Sequence, residues 1–183
     1  SAVAFWKPAN ALPRKQRHSP ERWARIRSTI LSEVSHPMDS DQAGTVRPFH
    51  GWQWQNVPLH PYKEEGAAPF KSITRQTLFH DPGFACELRY FEMQAGGHSS
   101  LERHEHMHAV LILRGEGHCL LGDQVHTVRQ NDLITIPPWV WHQFRATAGA
   151  PMGFLCMVNQ QRDKPQLPTQ AEMAALRRVP AVA

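Results

Sequence analysis

The chain has 183 residues, 41% of them hydrophobic, and a formal net charge of +4. This length fits one domain with an extension, and no apolar run approaches the ~20 residues that a membrane-spanning helix needs. We therefore predict a globular protein that has no membrane partner. The three cysteines are dispersed, which argues against a disulfide framework. The N-terminal residues also lack a signal-peptide pattern, so we expect a cytoplasmic location.

Positive charge is concentrated at the N-terminus, where residues 1–30 contain seven Lys and Arg against one Glu. A basic arm of this kind can bind nucleic acid. However, no zinc finger or RNA-reading aromatic motif accompanies it. We therefore interpret the arm as a solvated extension and predict no nucleic-acid partner.

Residues 1–70 are predicted to form an extension with one amphipathic helix over about residues 20–35. Ser19 and Pro20 give a helix N-cap and first position. Apolar residues then recur at helical spacing until Pro37 ends the helix. The rest of this segment is rich in Pro, Gly and Trp, which is typical of an irregular arm.

From residue 71 to about residue 160 the pattern changes to short β-type runs separated by turn signals. Regular short strands with tight turns predict an all-β barrel or sandwich. No βαβ unit and no phosphate-binding glycine motif is present. Residues 161–183 are predicted to form a C-terminal tail, in which residues 171–178 favour a short helix.

Three of the twelve histidines fall within five residues, at 104, 106 and 108. Around them lies a regular spacing: Gly96, five residues, Glu102-x-His104, three residues, His108, six residues, Gly115. A second segment runs Asn131, five residues, Pro137-x-Trp139, two residues, His142. Both spacings resemble the two motifs of the cupin superfamily. The resemblance covers roughly residues 71–160 and implies a single cupin barrel, that is, a double-stranded β-helix or jelly roll.

The resemblance implies that Glu102, His104, His108 and His142 are metal ligands. The spacing matches the family pattern, but Glu102 stands where the family usually has His, and His108 stands where it usually has Glu. A set with His106 in place of Glu102 remains an alternative, because alternate strand residues share one face. A barrel that binds no metal is the other alternative.

Three imidazoles and one carboxylate form a ligand set suited to one divalent transition metal per chain. Fe(II) or Mn is favoured, and Ni, Cu or Zn would also fit. Four protein ligands leave up to two positions of an octahedral ion for substrate or O₂. The ion would act as a Lewis acid, with Glu102 and His106 as the candidate catalytic bases.

Aromatic residues near the motifs are candidates for a substrate pocket around the metal. An inward-pointing arginine could also bind an anionic substrate. Strand parity leaves open whether Arg89, Arg103, Arg114 or Arg145 points inward. The candidate pocket residues are Tyr90, Trp139, Phe144 and Phe154.

Three functions are compatible with these residues. The first is a metal-dependent, dioxygenase-like oxygenase for a small organic substrate, aromatic or carboxylate-bearing. It is favoured because residues 137–142 resemble gentisate-type dioxygenases and the ligand types resemble quercetinase-type cupins. The second is a non-redox metal-dependent lyase, isomerase or cyclase. The third is a cupin that binds a small ligand without turnover. A homodimer is also expected, formed through an edge strand, the irregular arm at residues 37–70 or the helix at residues 20–34.

Overall fold

The computed structural model describes residues 44–63 and 68–178. The helix predicted over residues 20–35 lies outside these ranges. The described residues from Arg47 onward belong to one compact unit.

Eleven strands and one helix occur within the described residues. β1 and β2 form a separate hairpin. The remaining strands form one antiparallel, curled sheet, and the helix follows the last strand. The strands are β1 (Phe49–His50), β2 (Gln53–Trp54), β3 (His60–Pro61), β4 (Lys71–Phe79), β5 (Cys86–His98), β6 (His108–Arg114), β7 (Glu116–Leu121), β8 (Gln124–Arg129), β9 (Leu133–Ile136), β10 (His142–Ala146) and β11 (Met152–Asn159), and the helix is α1 (Gln170–Leu176).

The main sheet runs in the order β8-β7-β10-β5-β11-β6-β9, and β4 also pairs with β5 and carries β3 at its outer side. Strand β5 has 13 residues and joins the two halves of the sheet. Its first part pairs with β11, and its last residue, His98, pairs with Arg145 of β10. This arrangement confirms the predicted all-β fold with a single barrel.

The core lies between the two halves of the curled sheet. Phe91 stacks on Phe154 at a ring-centroid distance of 5.2 Å, and Phe154 stacks on Phe144 at 4.7 Å. All three side chains are at most 5% exposed. Burying an aromatic side chain contributes about 1.5–3 kcal/mol, so this stack is one of the main sources of stability in the barrel.

Four motif positions share a left-handed backbone conformation, which glycine adopts without strain. Gly96 has φ of 67° and Gly115 has φ of 70°. Where the family pattern has two further glycines, Asn131 has φ of 73° and Trp139 has φ of 62°. The turns of the family motifs are therefore kept even where the glycine is replaced.

Helix α1 docks on one end of the barrel. Thr169 and Glu172 form a capping box at its N-terminus, which satisfies backbone donors that would otherwise be unpaired. Leu176 packs in a small cluster with Leu101 and Leu120. Glu172 also accepts a hydrogen bond from Arg103 at 3.1 Å.

Candidate metal centre

Main-chain pairing brings the two histidine motifs together. Glu102 and His142 form an isolated antiparallel bridge, in which each amide donates to the other carbonyl at 3.2 and 2.9 Å. The carbonyl of His104 accepts a hydrogen bond from the amide of Trp139 at 2.7 Å. His108 then begins β6 and His142 begins β10. Two candidate ligands therefore begin strands, and backbone hydrogen bonds hold the other two, Glu102 and His104, in the segment between β5 and β6.

Two overlapping groups of side chains could hold a metal ion. In each group, the potential ligand atoms all lie within 4.8 Å of one another. One group contains Glu102, His104 and His142, and the other contains His104, His106 and His108. The ring of His108 lies 4.6 Å from that of His104 and 5.5 Å from that of His142, measured between centroids. His104 belongs to both groups, and the cluster includes all the histidines considered from the sequence.

A contact at Nδ1 orients each of three imidazoles in the cluster. Nδ1 of His104 donates to the carbonyl of His106 at 2.8 Å, and Nδ1 of His142 donates to the carbonyl of Val140 at 2.9 Å. Nδ1 of His108 lies 3.3 Å from Sγ of Cys156. A carbonyl can only accept, so these bonds place the proton of His104 and His142 on Nδ1 and leave the lone pair on Nε2, as in metal-binding histidines.

Two of these Nε2 atoms are buried and have no hydrogen-bond partner among the described residues, namely those of His104 and His108. An unsatisfied buried polar atom costs about 1–3 kcal/mol. Two adjacent atoms of this kind, both with the lone pair available, match the needs of a bound cation. The residues present therefore fit a divalent metal ion.

Burial keeps these imidazoles neutral. Desolvation, with smaller contributions from the neighbouring histidines, lowers the pKa of His104 to about 4 and that of His108 to about 2. Burial is also the main reason why the pKa of His142 is lowered. A metal binds the neutral imidazole, so the cluster can bind an ion at neutral pH without first losing protons.

The carboxylate of Glu102 is 5% exposed and is held by two donors. Oε2 forms an ion pair with Nζ of Lys63 and accepts a hydrogen bond from the Ser100 hydroxyl at 2.5 Å. Nζ of Lys63 also donates to Oγ of Ser100 at 2.9 Å. The described residues form no hydrogen bond to Oε1, so this oxygen is the one available to a metal or to a proton.

His106 lies at the side of the cluster and is oriented by an acid. Its ring stacks on that of His104 at a centroid distance of 3.6 Å. Nδ1 of His106 lies 2.6 Å from Oδ1 of Asp163. Although burial opposes ionisation of Asp163, hydrogen bonds from the Glu105 amide and from His106 lower its pKa to about 2. Asp163 is therefore an ionised acceptor that holds the proton of His106 on Nδ1.

The four candidate pocket residues have different surroundings. Phe144 and Phe154 belong to the barrel core. Trp139 is 47% exposed in the turn beside His104. Tyr90 alternates with Phe91 on β5 and packs instead against Trp54, at a ring distance of 5.1 Å. Its hydroxyl donates to Glu92, so Tyr90 lies on the outer face of the sheet and does not line a pocket inside the barrel.

The structure also adds partners that no sequence pattern indicated. Lys63 contacts Glu102 from 39 residues earlier in the chain, and Asp163 contacts His106 from 57 residues later. Among the arginines left open by parity, Arg89 is the one on the inner face, because it pairs across strands with Cys156 and lies over the Phe91 ring. Arg114 pairs with Glu92 on the outer face.

The family can now be assigned. A family model described as a cupin domain matches residues 89–158. A curated protein of Rhodospirillum rubrum, named 1-methylthio-D-xylulose 5-phosphate methylsulfurylase, is 57% identical over 146 residues, which cover 79% of this chain and 94% of the relative. The chain belongs to the cupin family. Together with the His/Glu cluster, this confirms the predicted superfamily and gives the cupin a site that could hold a metal.

Two crystal structures are similar to this cupin over most of its barrel. A cupin 2 conserved barrel domain protein from Rhodopseudomonas palustris has 50% identity and a TM-score of 0.70, and the match covers 75% of this chain and 96% of that chain. A cupin-2 domain protein from Rhodospirillum rubrum has 57% identity and a TM-score of 0.67, with coverage of 75% and 93%. In the described part of the chain, no helix is long and apolar enough to span a membrane.

Proposed function

We propose that this cupin is a metal-dependent enzyme that acts on a methylthio-substituted pentulose 5-phosphate. The observation that carries the substrate class is the 57% identity to the methylsulfurylase over 94% of that relative's length. Identity of this extent, without a missing domain in the relative, supports a shared substrate more strongly than a likeness of fold alone would.

We further propose that Glu102, His104, His108 and His142 hold one divalent transition metal, with Fe(II) or Mn favoured and Ni, Cu or Zn as alternatives. The unpartnered Nε2 atoms of His104 and His108 support this set. When bound, the ion supplies a Lewis acid that polarises a substrate oxygen. His106 in place of Glu102 remains the competing ligand set.

His106 is the residue that we propose moves a proton. Asp163 accepts the hydrogen bond from Nδ1 of His106, so Nε2 is the ring nitrogen that would accept a proton from the substrate. The same carboxylate would stabilise the imidazolium that then forms. Glu102 is the second candidate, because the hydrogen bonds from Lys63 and Ser100 leave Oε1 available.

The test is turnover of 1-methylthio-D-xylulose 5-phosphate by the full chain loaded separately with each of the five metals. Each reaction is run with and without O₂, and with either water alone or a small thiol. Water would break the C–S bond to give methanethiol and the pentulose 5-phosphate. A thiol would take up the methylthio group as a mixed disulfide and give its proton to the carbon, which leaves the 1-deoxypentulose 5-phosphate. Mass spectrometry should show loss of the methylthio group without O₂ consumption. If no metal and no acceptor gives this loss, the proposed activity is incorrect.

The dioxygenase-like activity expected from the sequence is the alternative, and the comparisons give it no specific support. An oxygen electrode distinguishes the two activities in the same reactions. Uptake of O₂ in step with consumption of an aromatic or dicarbonyl substrate would favour the oxygenase. A ligand recovered unchanged, together with a thermal shift, would favour a binding protein without turnover.

Two other expectations are kept as proposals. A homodimer is supported by Leu133, which lies on the sheet-edge strand β9 and is 72% exposed. A monomer by light scattering would contradict it. A reducing, cytoplasmic location is supported by the three cysteines, all of which are free.

A further inference from the structure

A second feature, beside the histidine cluster, is a basic cavity of about 440 Å³. It lies between strand β3, strand β4 and the segment that follows β11. None of the described residues that line it is acidic. The residues that line it include His60, Tyr62, Lys63, Arg75, Lys164 and Leu167.

Arg75 lines this cavity, and the described residues supply no hydrogen-bond partner for its Nε. It pairs across strands with Phe91, and Ile73 on the same face of β4 belongs to the core. Alternate strand residues share a face, so the Arg75 side chain is directed to the inner side of the sheet. Its Nε is buried and has no hydrogen-bond partner among the described residues. The planar donors of an arginine match a carboxylate or a phosphate. A buried arginine without such an acceptor is therefore suited to bind one.

The other inward arginine, Arg89, also has a buried Nε without a hydrogen bond among the described residues, but it differs from Arg75 in its charge partners. Arg89 has an ion pair with Glu87, in which Nε and Oε1 lie 2.6 Å apart. Glu87 also pairs with Arg162 at 2.9 Å. The charge of Arg89 is therefore compensated within the protein, whereas within the described residues that of Arg75 is not.

The cavity lies next to the candidate metal centre, because two of the residues that line it contact Ser100 or Glu102. The Tyr62 hydroxyl lies 3.2 Å from Oγ of Ser100, and Ser100 donates to Glu102. Lys63 lines the cavity and at the same time pairs with Glu102. One end of a substrate could therefore lie at the histidine cluster while its other end lies in the basic cavity.

We propose that this cavity binds the phosphate group of the substrate, with Arg75 as the main contact and Lys164 at its rim. The identity of the phosphorylated substrate rests on the proposed function. In a 1-methylthio pentulose 5-phosphate, the methylthio and phosphate groups are at opposite ends of the carbon chain. The dianion would provide the acceptors that Arg75 lacks, and the methylthio end would face the histidine cluster.

The test measures binding of three probes to the full, metal-loaded chain by calorimetry: D-xylulose 5-phosphate, D-xylulose and inorganic phosphate. We expect D-xylulose 5-phosphate to bind at least tenfold more tightly than D-xylulose, and inorganic phosphate to compete with it. Arg75→Gln should weaken binding of D-xylulose 5-phosphate at least tenfold, and Lys164→Gln should weaken it less. Arg129→Gln is the matched control, because Arg129 is an exposed strand arginine on β8.

Metal content and thermal unfolding are measured for every variant, so that a folding defect is recognised. If Arg75→Gln does not fold, Arg75→Lys and Lys164→Gln replace it, and both should weaken binding. Wild-type affinity in these correctly folded variants would overturn the proposal. Phosphate-dependent binding that is lost in Arg75→Gln would support the phosphate site in the cavity. If such binding is found but no methylthio group is released, only the proposed function fails. Turnover with an unchanged KM in Arg75→Gln would leave the proposed function intact and contradict the proposed phosphate site.

Discussion

Sγ of Cys156 lies 3.3 Å from Nδ1 of His108, on the side of the imidazole opposite to the unpartnered Nε2. Burial raises the pKa of the Cys156 thiol to about 12, so Cys156 is a neutral thiol and a weak hydrogen-bonding partner of Nδ1 of a candidate ligand. Groups that orient a ligating histidine typically change metal affinity by about 10–100-fold when removed.

The first prediction concerns this contact. Cys156→Ala should lower the metal affinity of the full chain by about tenfold, whereas Cys156→Ser, which keeps an acceptor, should lower it less. Competition with a coloured chelator measures both affinities. Cys119→Ala is the control, since Cys119 is buried in the same hydrophobic core but its thiol contacts the Leu120 carbonyl and not a candidate ligand. Equal affinities for Cys156→Ala and Cys119→Ala would show that the thiol does not orient His108.

The second prediction separates Glu102 from His106. If Glu102 is a ligand and His106 is a base, Glu102→Gln should reduce the bound metal. His106→Gln should keep the metal and lower kcat by about 10²-fold or more. Metal content and kcat are measured on the same preparations, with the exposed His126→Gln as control. Loss of metal in His106→Gln but not in Glu102→Gln would favour the competing ligand set.

The third prediction concerns Asp163, which accepts hydrogen bonds from His106 and from the Glu105 amide. Asp163→Asn removes the charge that stabilises the His106 imidazolium but keeps an acceptor of similar shape. We therefore expect kcat to fall while metal content and thermal stability change little. The acidic limb of the pH–kcat profile should also move, since a purely structural role would not shift it. An unchanged profile would argue against His106 as the base.

The fourth prediction tests the strained turn at Trp139, which has φ of 62°. A left-handed conformation costs an L-residue about 1–2 kcal/mol, so Trp139→Gly should be more stable than Trp139→Ala by about 1 kcal/mol. Both variants lose the indole, and the comparison therefore isolates the backbone. At Val140, which is not among the residues with positive φ, the order should reverse, because glycine is the more flexible in the unfolded chain. Denaturant unfolding measures both pairs, and the same order at both positions would contradict the account.

The parts of the site that could be predicted from the sequence are those that depend on local spacing. His104 and His142 match histidine positions of the two motifs, and the turns at Asn131 and Trp139 keep the glycine conformation of the family pattern. In these cases the short-range geometry of a turn is encoded within a few residues, so the spacing alone indicates where the side chains lie.

The remaining contacts depend on tertiary packing and have no local pattern. Lys63 comes from the irregular segment before the barrel and Asp163 from the segment after it, and a single charged residue in a loop does not indicate its partner. Tyr90 is a candidate from the sequence because one of the adjacent residues Tyr90 and Phe91 should face the barrel interior, and their positions alone do not indicate which one does. A strand that is covered on both faces loses the alternation that distinguishes inside from outside, and here Trp52 and Trp54 cover the outer face.

The central claim is a transition metal held by the two histidine motifs, and elemental analysis of protein purified without added metal tests it most directly. We expect about one transition-metal ion per chain in the wild type. This metal should be lost in His104→Ala and in His142→Ala and retained in the exposed control His126→Ala. A wild-type protein that carries no metal even after incubation with Fe(II) or Mn, or His104→Ala and His142→Ala variants that keep the metal, would contradict the central claim.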